Sequence, residues 1–332
     1  MAIKLYLHIG HTHASSGHVS ALLAANRAAL LARGYGIADA QLQLEGEPGS
    51  AAFFEPALHA GQPDSATHDA AFKALAASAK AKGLEAVIIS APNLAVPGGA
   101  TLVAGLQAHF DVRVIYYFKR QEHLVVDWWL AGAFKSGIGL NAYIDEIIEQ
   151  HPRRHYRDAL EEFLNTFGAD AMRVQLLWFK VLEGECLERD LWHALDLNPD
   201  DFEVVPEPAP VVSSYLANAL KESPYLFADE NDEELIDFIR SYAVGEPTHK
   251  INPLDVAPRR RIMEHFQPEN RWIKITFFAD VEMAGWNAVP DSDDRHYDVT
   301  LSGITEAINV NLAMLKELSE DVARIKRRMG LK

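Results

Sequence analysis

The first loop of the chain is crowded with side chains that could do chemistry. The stretch "HIGHTHASSGH" joins a predicted strand to a predicted helix and contains His8, His11, His13, Ser15, Ser16, Gly17 and His18. Neutral imidazoles are good ligands for zinc-like ions. Serines at a helix N-terminus suit a phosphate or sulfate, because the first backbone N–H groups are unpaired and the helix dipole adds positive charge. "SSG" is also an ordinary helix cap, so the loop predicts a metal site, an anion site or a cap.

The elements around this loop predict an α/β protein with a parallel sheet flanked by helices. Short apolar runs predict strands, and apolar residues at helical spacing predict helices; the two alternate along the first part of the chain. The predicted strands are 3–10, 85–91, 111–120 and 172–179, and the predicted helices are 17–33, 66–83, 101–110, 121–137, 141–149, 155–166, 187–195, 231–242 and 258–278. Ligands bind at the carboxyl ends of parallel strands, which is where the loop after the first strand lies.

The last predicted helix, within 297–332, has an apolar seam. Its members recur every three or four residues: Ile308, Leu312, Leu315, Leu318, Val322, Ile325 and Met329. Such a narrow seam is typical either of packing on the helix's own domain or of a coiled coil between two copies. We expect one domain covering 1–332 with this helix at its end, and a homodimer is the alternative use of the seam.

Composition excludes several classes of function. The 332 residues carry a formal net charge of −16, which argues against nucleic acid as a partner. Cys186 is the single cysteine, so no internal disulfide is possible. No apolar run approaches the roughly 20 residues of a membrane span, and no signal peptide is recognisable. We expect a cytoplasmic protein, bacterial in style.

The metal interpretation needs ligands from later strand ends. The sequence after the second and third predicted strands reads "SAPN" and "FKRQ", which lacks the histidines and carboxylates that zinc-like ions prefer. A histidine-metal hydrolase therefore remains the least favoured alternative, and no metal is expected.

The spacing of several segments resembles the bacterial sulfotransferase family that uses PAPS (3′-phosphoadenosine 5′-phosphosulfate) as donor. Its members typically begin "LHIG-x-x-KTGTT", followed by "NR" and Gly, and here the corresponding stretch is "LHIGHTHASSGHVSALLAANRAALLARGYG". The resemblance continues in "VRVIYYFKRQEHLVVDWW", which is similar to the family's strand–"RRQ"–helix element, and covers most of the chain with no single motif intact. It implies the sulfotransferase, or P-loop-like, fold.

Carried over position by position, the resemblance implies a donor site on the loop 11–18. The family's lysine falls on His13, and its Thr-Gly-Thr-Thr falls on Ala14, Ser15, Ser16 and Gly17. The contacts would be His13, Ser15, Ser16, Gly17 and His18. A lysine at this position would stabilise charge on the bridging oxygen; His13 can do so when protonated, which is partial at neutral pH for a pKa of about 6.5.

A second cluster corresponds to the family's 3′-phosphate site. Its Arg and Ser fall on Lys119 and Asp127, and Arg120 is adjacent. Lys119 keeps the positive charge of the family's arginine but cannot form its two parallel hydrogen bonds to a phosphate. The carboxylate of Asp127 would repel a phosphate. Asp127 could instead form a salt bridge with Lys119 or Arg120.

The resemblance implies sulfuryl transfer from PAPS to a hydroxyl of a carbohydrate or small molecule. The family's acidic residue after the second strand is replaced by Pro92, which cannot act as a base, so His11 and His13 are the candidate catalytic residues. The alternative is a protein that keeps the fold but has lost PAPS chemistry and serves in binding, in scaffolding or with another donor.

Overall fold

The computed structural model describes residues 3–10, 16–60, 65–150, 155–206, 212–242, 253–289 and 296–329. Five strands and fifteen α-helices are assigned within these ranges, joined in places by short 3-10 turns. In chain order they are β1 Lys4–His8, α1 Ser16–Ala25, α2 Arg27–Ala32, β2 Tyr35–Ile37, α3 Ala51–Ala60, α4 Ser65–Ala81, β3 Ala86–Ser90, α5 Gly99–Val103, β4 Asp111–Phe118, α6 Gln121–Ala131, α7 Leu140–Gln150, α8 His155–Phe167, β5 Met172–Leu176, α9 Leu187–Ala194, α10 Ser214–Leu220, α11 Glu234–Tyr242, α12 Val256–His265, α13 Gln267–Phe277, α14 Ala284–Asn287 and α15 His296–Arg328.

The chain divides into two compact units, each built from three segments. Unit 1 comprises Met1–Arg120, Pro152–Pro208 and Phe266–Asn287, and unit 2 comprises Gln121–His151, Ala209–His265 and Ala288–Lys332. All five strands belong to unit 1. The expectation of one domain over 1–332 stays a prediction.

The strands of unit 1 form one sheet in the order β2-β3-β1-β4-β5, and every neighbouring pair is parallel. Leu5 and Leu7 of β1, like Val87 and Ile89 of β3, are fully buried. Continuous apolar strands of this kind are typical of a parallel sheet covered on both faces. The predicted α/β class with a parallel sheet and flanking helices is confirmed.

One face of this sheet packs against α1 and α9. Tyr6, Ile88, Ile115 and Tyr117 on the strands share a core with residues of both helices, namely Val19, Leu22, Leu23, Leu191 and Trp192. Burial of aliphatic and aromatic side chains contributes about 1.5–3 kcal/mol each, so this core fixes the first turns of α1 relative to β1.

Strand β2 was not predicted from the sequence. It has only three residues, and its middle residue, Gly36, is poorly suited to strands. A Cβ at Gly36 would lie 2.6 Å from a methyl carbon of Leu84 and 2.9 Å from one of Leu44. The two leucines fill the space over the strand, so any larger side chain at this position would require them to shift.

Two predicted helices are each interrupted. The helix predicted over 17–33 breaks at Asn26, whose Nδ2 donates to the carbonyls of Leu22 (3.1 Å) and Glu203 (3.0 Å). The Asn26 Oδ1 accepts from the Glu203 N–H at 2.7 Å, so the break is anchored by a distant segment. The helix predicted over 258–278 ends at His265 and restarts at Gln267, where Pro268 fits the first turn because it needs no N–H partner.

Unit 2 is helical in its described residues. Its core joins the side chains of Trp129, Phe134, Leu216, Ile236 and Ile239. Within the described ranges, neither unit has a helix that is both long enough and apolar enough to cross a membrane. The seam of α15 is not packed on the chain's own units, because its seven side chains are 43% to 67% exposed; the first of the two expectations for it is wrong.

Candidate functional site

The carboxyl edge of the sheet brings three chain segments of unit 1 together. Central strand β1 lies between β3 and β4, and His8 is in register with Ser90 on one side and Ile115 on the other. The chain moves from β3, on one side of β1, to β4, on the other. Such a reversal of strand order creates a crevice at the carboxyl ends, and the residues after β1, β3 and β4 border it.

The predicted anion loop falls only partly within the described residues. His11, His13 and Ser15 lie outside them. Helix α1 begins at Ser16, which is buried, and continues through the exposed Gly17. A Cβ at Gly17 would meet no atom within 4 Å. The first turn of α1 therefore has open space at Gly17 and a hydroxyl at Ser16.

His18 is held by the protein itself. Its side chain is 4% exposed, and its Nε2 lies 2.8 Å from the carbonyl oxygen of Val205 and 3.5 Å from Glu188 Oε1. The ring thus anchors α1 to the segment around Val205 and to α9. A contact of His18 with an anion at this helix end would use its backbone N–H.

His8 and Ser90 form a polar pair that the sequence analysis did not identify. The His8 Nδ1 lies 2.9 Å from Ser90 Oγ, and the imidazole is 3% exposed. Burial lowers the pKa of His8 to about 4, so the ring is neutral at neutral pH and serves to hold the Ser90 hydroxyl. Both residues lie near the ends of the predicted strands 3–10 and 85–91, but that these strands are neighbours became visible only in the structure.

Lys119 and Arg120 follow β4 directly and are half-buried. The hydroxyl of Tyr156, on α8, donates to the Lys119 carbonyl at 2.6 Å. The first turn of α8 is in turn fixed by Glu269, a carboxylate on α13 that is 1% exposed and accepts from the N–H groups of Tyr156 and Arg157. Two packed helices therefore position the end of β4.

Lys119 lies beyond the level of His8, the last residue of β1, along the strand direction. Because Ile115 is level with His8, Lys119 lies four residues further along, or roughly 13 Å at the usual rise of a strand. Asp127, the remaining predicted residue, is half-buried on α6 and belongs to unit 2.

The described residues contain no group of three or more histidine, cysteine or carboxylate side chains that could hold a metal ion. Because His11 and His13 are not among them, this result concerns only the rest of the chain. His8 and His18 have fixed oxygen neighbours at 2.9 Å and 2.8 Å.

Unit 2 contains a polar cleft of about 370 Å³ that the sequence analysis missed. Its lining combines an apolar wall with amide, hydroxyl, ammonium and carboxylate groups: Trp129, Leu140, Asn141, Ser214, Tyr215, Asn218, Lys221, Pro253, Leu254, Asp255 and Pro258. The volume lies within the usual range for small-molecule sites. No sequence motif marks it, because its residues come from four separated segments.

Comparison of the chain with protein-family models, curated proteins and solved structures finds no match.

Proposed function

We propose that unit 1 binds PAPS at the carboxyl edge of its sheet and transfers the sulfuryl group to a hydroxyl of a carbohydrate or small molecule. The observation that supports this is the arrangement of two neighbouring strands. β1 leads to the N-terminus of α1, and β4 leads to Lys119 and Arg120. Donors for two separate anionic groups thus border one crevice.

In this proposal the two ends of the donor have separate contacts. The first-turn N–H groups of α1 and the Ser16 hydroxyl bind the 5′-phosphosulfate, as helix N-termini bind anions. Lys119 and Arg120 bind the 3′-phosphate.

PAPS supplies an activated sulfuryl group. Transfer breaks the bond from sulfur to the 5′-phosphate oxygen and forms one to the acceptor oxygen, whose proton must leave. His13, when protonated, stabilises the departing phosphate oxygen, and His11 is the candidate to accept the hydroxyl proton. His8 takes neither part: burial lowers its pKa to about 4, so it carries no charge at neutral pH and is too weak a base to accept the hydroxyl proton.

Binding of the product nucleotide tests the proposal. Isothermal titration calorimetry would compare adenosine 3′,5′-bisphosphate with AMP, which lacks the 3′-phosphate. We expect Lys119→Ala to weaken bisphosphate binding about 10- to 100-fold, as for loss of a charged hydrogen bond, and to leave AMP binding unchanged. Lys80→Ala removes an exposed lysine on α4 and is the matched control. No bisphosphate binding at millimolar concentration contradicts the proposal.

The role of His13 is tested by its pH dependence. A histidine with a pKa of about 6.5 loses its positive charge between pH 6 and 8, so wild-type transfer should slow as pH rises above about 7, where His11 is already neutral and His13 loses its charge. We expect His13→Lys to retain transfer at pH 8 and His13→Gln to be slow throughout. Equal rates for wild type and His13→Gln at pH 6 would contradict this role.

The same assays distinguish the alternatives. Tight bisphosphate binding without turnover of PAPS, in the presence of varied hydroxyl acceptors, would favour a protein that has kept the fold and lost the chemistry. A stoichiometric transition metal in protein purified without chelator would favour the histidine-metal hydrolase.

A further inference from the structure

Helix α15 of unit 2 leaves its apolar seam uncovered. The exposed fractions of the seven seam residues range from 43% at Val322 to 67% at Met329. The helix packs on its own unit through a different face, where Met314 contacts the apolar core of unit 2. A continuous exposed stripe of this kind is unusual in a monomer and marks an interaction surface.

The area of the seam matches that of a dimer. Its seven side chains expose about as much surface as four whole aliphatic side chains, on the order of 700 Å² per copy, against roughly 800 Å² buried by each partner in a standard interface. From Ile308 to Met329 the helix rises about 32 Å. The seam is therefore long, narrow and large enough to bind one matching helix.

We propose that the seam binds the seam of a second copy of this chain, with the two helices antiparallel. The steps between seam residues are 4, 3, 3, 4, 3 and 4, a pattern interrupted once near its middle. A two-fold axis between positions 318 and 319 aligns the outer layers and brings the two Leu318 side chains together beside the axis. The pairs between copies are Ile308 with Met329, Leu312 with Ile325, Leu315 with Val322 and Leu318 with itself.

Two polar residues on the same side of the helix favour the antiparallel orientation. Lys326 lies four residues after Val322 and Asn311 lies three after Ile308, and both are exposed. In a parallel pair Lys326 would face its own copy, and like charges at such positions are destabilising. In the antiparallel pair it faces Asn311 of the second copy, whose amide oxygen accepts a hydrogen bond from an ammonium group. This proposal does not depend on the proposed function.

The oligomeric state of the full chain tests the proposal. Analytical ultracentrifugation should give twice the chain mass of 36.9 kDa for the wild type. Leu318→Glu places two carboxylates beside the axis and should weaken the dimer at least about 100-fold. Ile275→Glu is the control, because Ile275 is 65% exposed on α13 and should leave the dimer intact. A wild type that is monomeric at about 100 μM, or a Leu318→Glu dimer of undiminished affinity, overturns the proposal.

Disulfide trapping tests the orientation. In a Cys186→Ser background, Leu318→Cys should cross-link to itself and shows that the seam is accessible to the oxidant. An equimolar mixture of Asn311→Cys and Lys326→Cys proteins should form mixed dimers, because paired positions bring the Cα atoms within disulfide reach. Cross-linking of Lys326→Cys to itself, in place of the mixed dimer, overturns the antiparallel arrangement.

Discussion

The buried carboxylate of Glu269 links the stability of unit 1 to the position of Lys119. It accepts from two N–H groups in the first turn of α8, one of them belonging to Tyr156, whose hydroxyl holds the Lys119 carbonyl. Glu269→Gln keeps the shape and one acceptor oxygen but removes the charge. Charge-assisted hydrogen bonds are about twice as strong as neutral ones, and a charge at a partly buried helix terminus contributes up to about 2 kcal/mol.

We therefore expect Glu269→Gln to lower the free energy of unfolding of unit 1 by about 2 kcal/mol, which corresponds to a fall in Tm of roughly 4–8 °C for a unit of this size. Differential scanning calorimetry of the full chain measures the shift. Bisphosphate affinity should fall as well, but by less than in Lys119→Ala, because the cation remains and only its support is loosened.

Glu161→Gln is a matched control on the same helix. Glu161 pairs with Arg157 at 2.6 Å in a half-buried i,i+4 ion pair, and such pairs on a helix surface contribute about 0.3–0.5 kcal/mol. If Glu269→Gln unfolds within 1 °C of Glu161→Gln, the carboxylate does not stabilise the start of α8 and the reasoning is refuted.

Two further substitutions have expected outcomes. Gly17→Ala should leave thermal stability unchanged or raised, since its Cβ meets nothing and alanine favours the helix, yet should weaken bisphosphate binding in calorimetry; unchanged binding would place the anion elsewhere. Asp196→Asn should reduce stability by about 1 kcal/mol at pH 7. Burial acts to raise the pKa of Asp196, but hydrogen bonds from Arg173, Lys4 and Tyr6 hold it well below its usual value. Asn also tolerates the left-handed backbone there (φ 59°). Because the native pKa is depressed, the stabilisation is complete above the unfolded pKa of about 3.9 and is lost progressively as pH falls from there through the lower native pKa. Urea unfolding should therefore show a smaller difference at pH 3 than at pH 7.

The sheet was predictable wherever a strand is a continuous apolar run. The runs at 3–10, 85–91, 111–120 and 172–179 all contain strands. Burial on both faces leaves an apolar signal along the central strands β1 and β3, whereas the edge strand β5 is only half-buried over its first four residues. β2 leaves no such signal, since it has only three residues and its middle residue is Gly36. Three residues are too few to form an apolar run that can be recognised in the sequence.

A helix break can be predicted when a residue at the break causes it, and not when a distant segment does. Pro268 is a signal in the sequence for the start of α13, because proline is suited to the first turn of a helix. The break at Asn26 has no local cause, since asparagine is tolerated within helices. It exists because Glu203 offers both a carbonyl and an N–H to the same side chain, and that pairing is known only once the chain has folded.

For the candidate site, the positions at the strand ends could be predicted from the sequence, but the contacts that support them could not. Sequence order places the loop after β1 and the cations after β4 at carboxyl strand ends, and the parallel topology puts strand ends at one edge. The support behind the cations was not predictable. It runs from Glu269 to the first turn of α8, and from Tyr156 to Lys119, through residues more than a hundred positions apart.

Burial divides the histidines of the first loop into two kinds. As letters, His8, His11, His13 and His18 are four equivalent candidate ligands. His8 and His18 are 3% and 4% exposed and each has a ring nitrogen beside a fixed oxygen, of Ser90 and of Val205 respectively. A metal site using all four would have to break both contacts within a packed core, and each buried oxygen left without its partner would cost about 1–3 kcal/mol. In the proposed transfer reaction, proton transfer and charge stabilisation are therefore assigned to His11 and His13, while His8 and His18 hold the end of β1 and the start of α1.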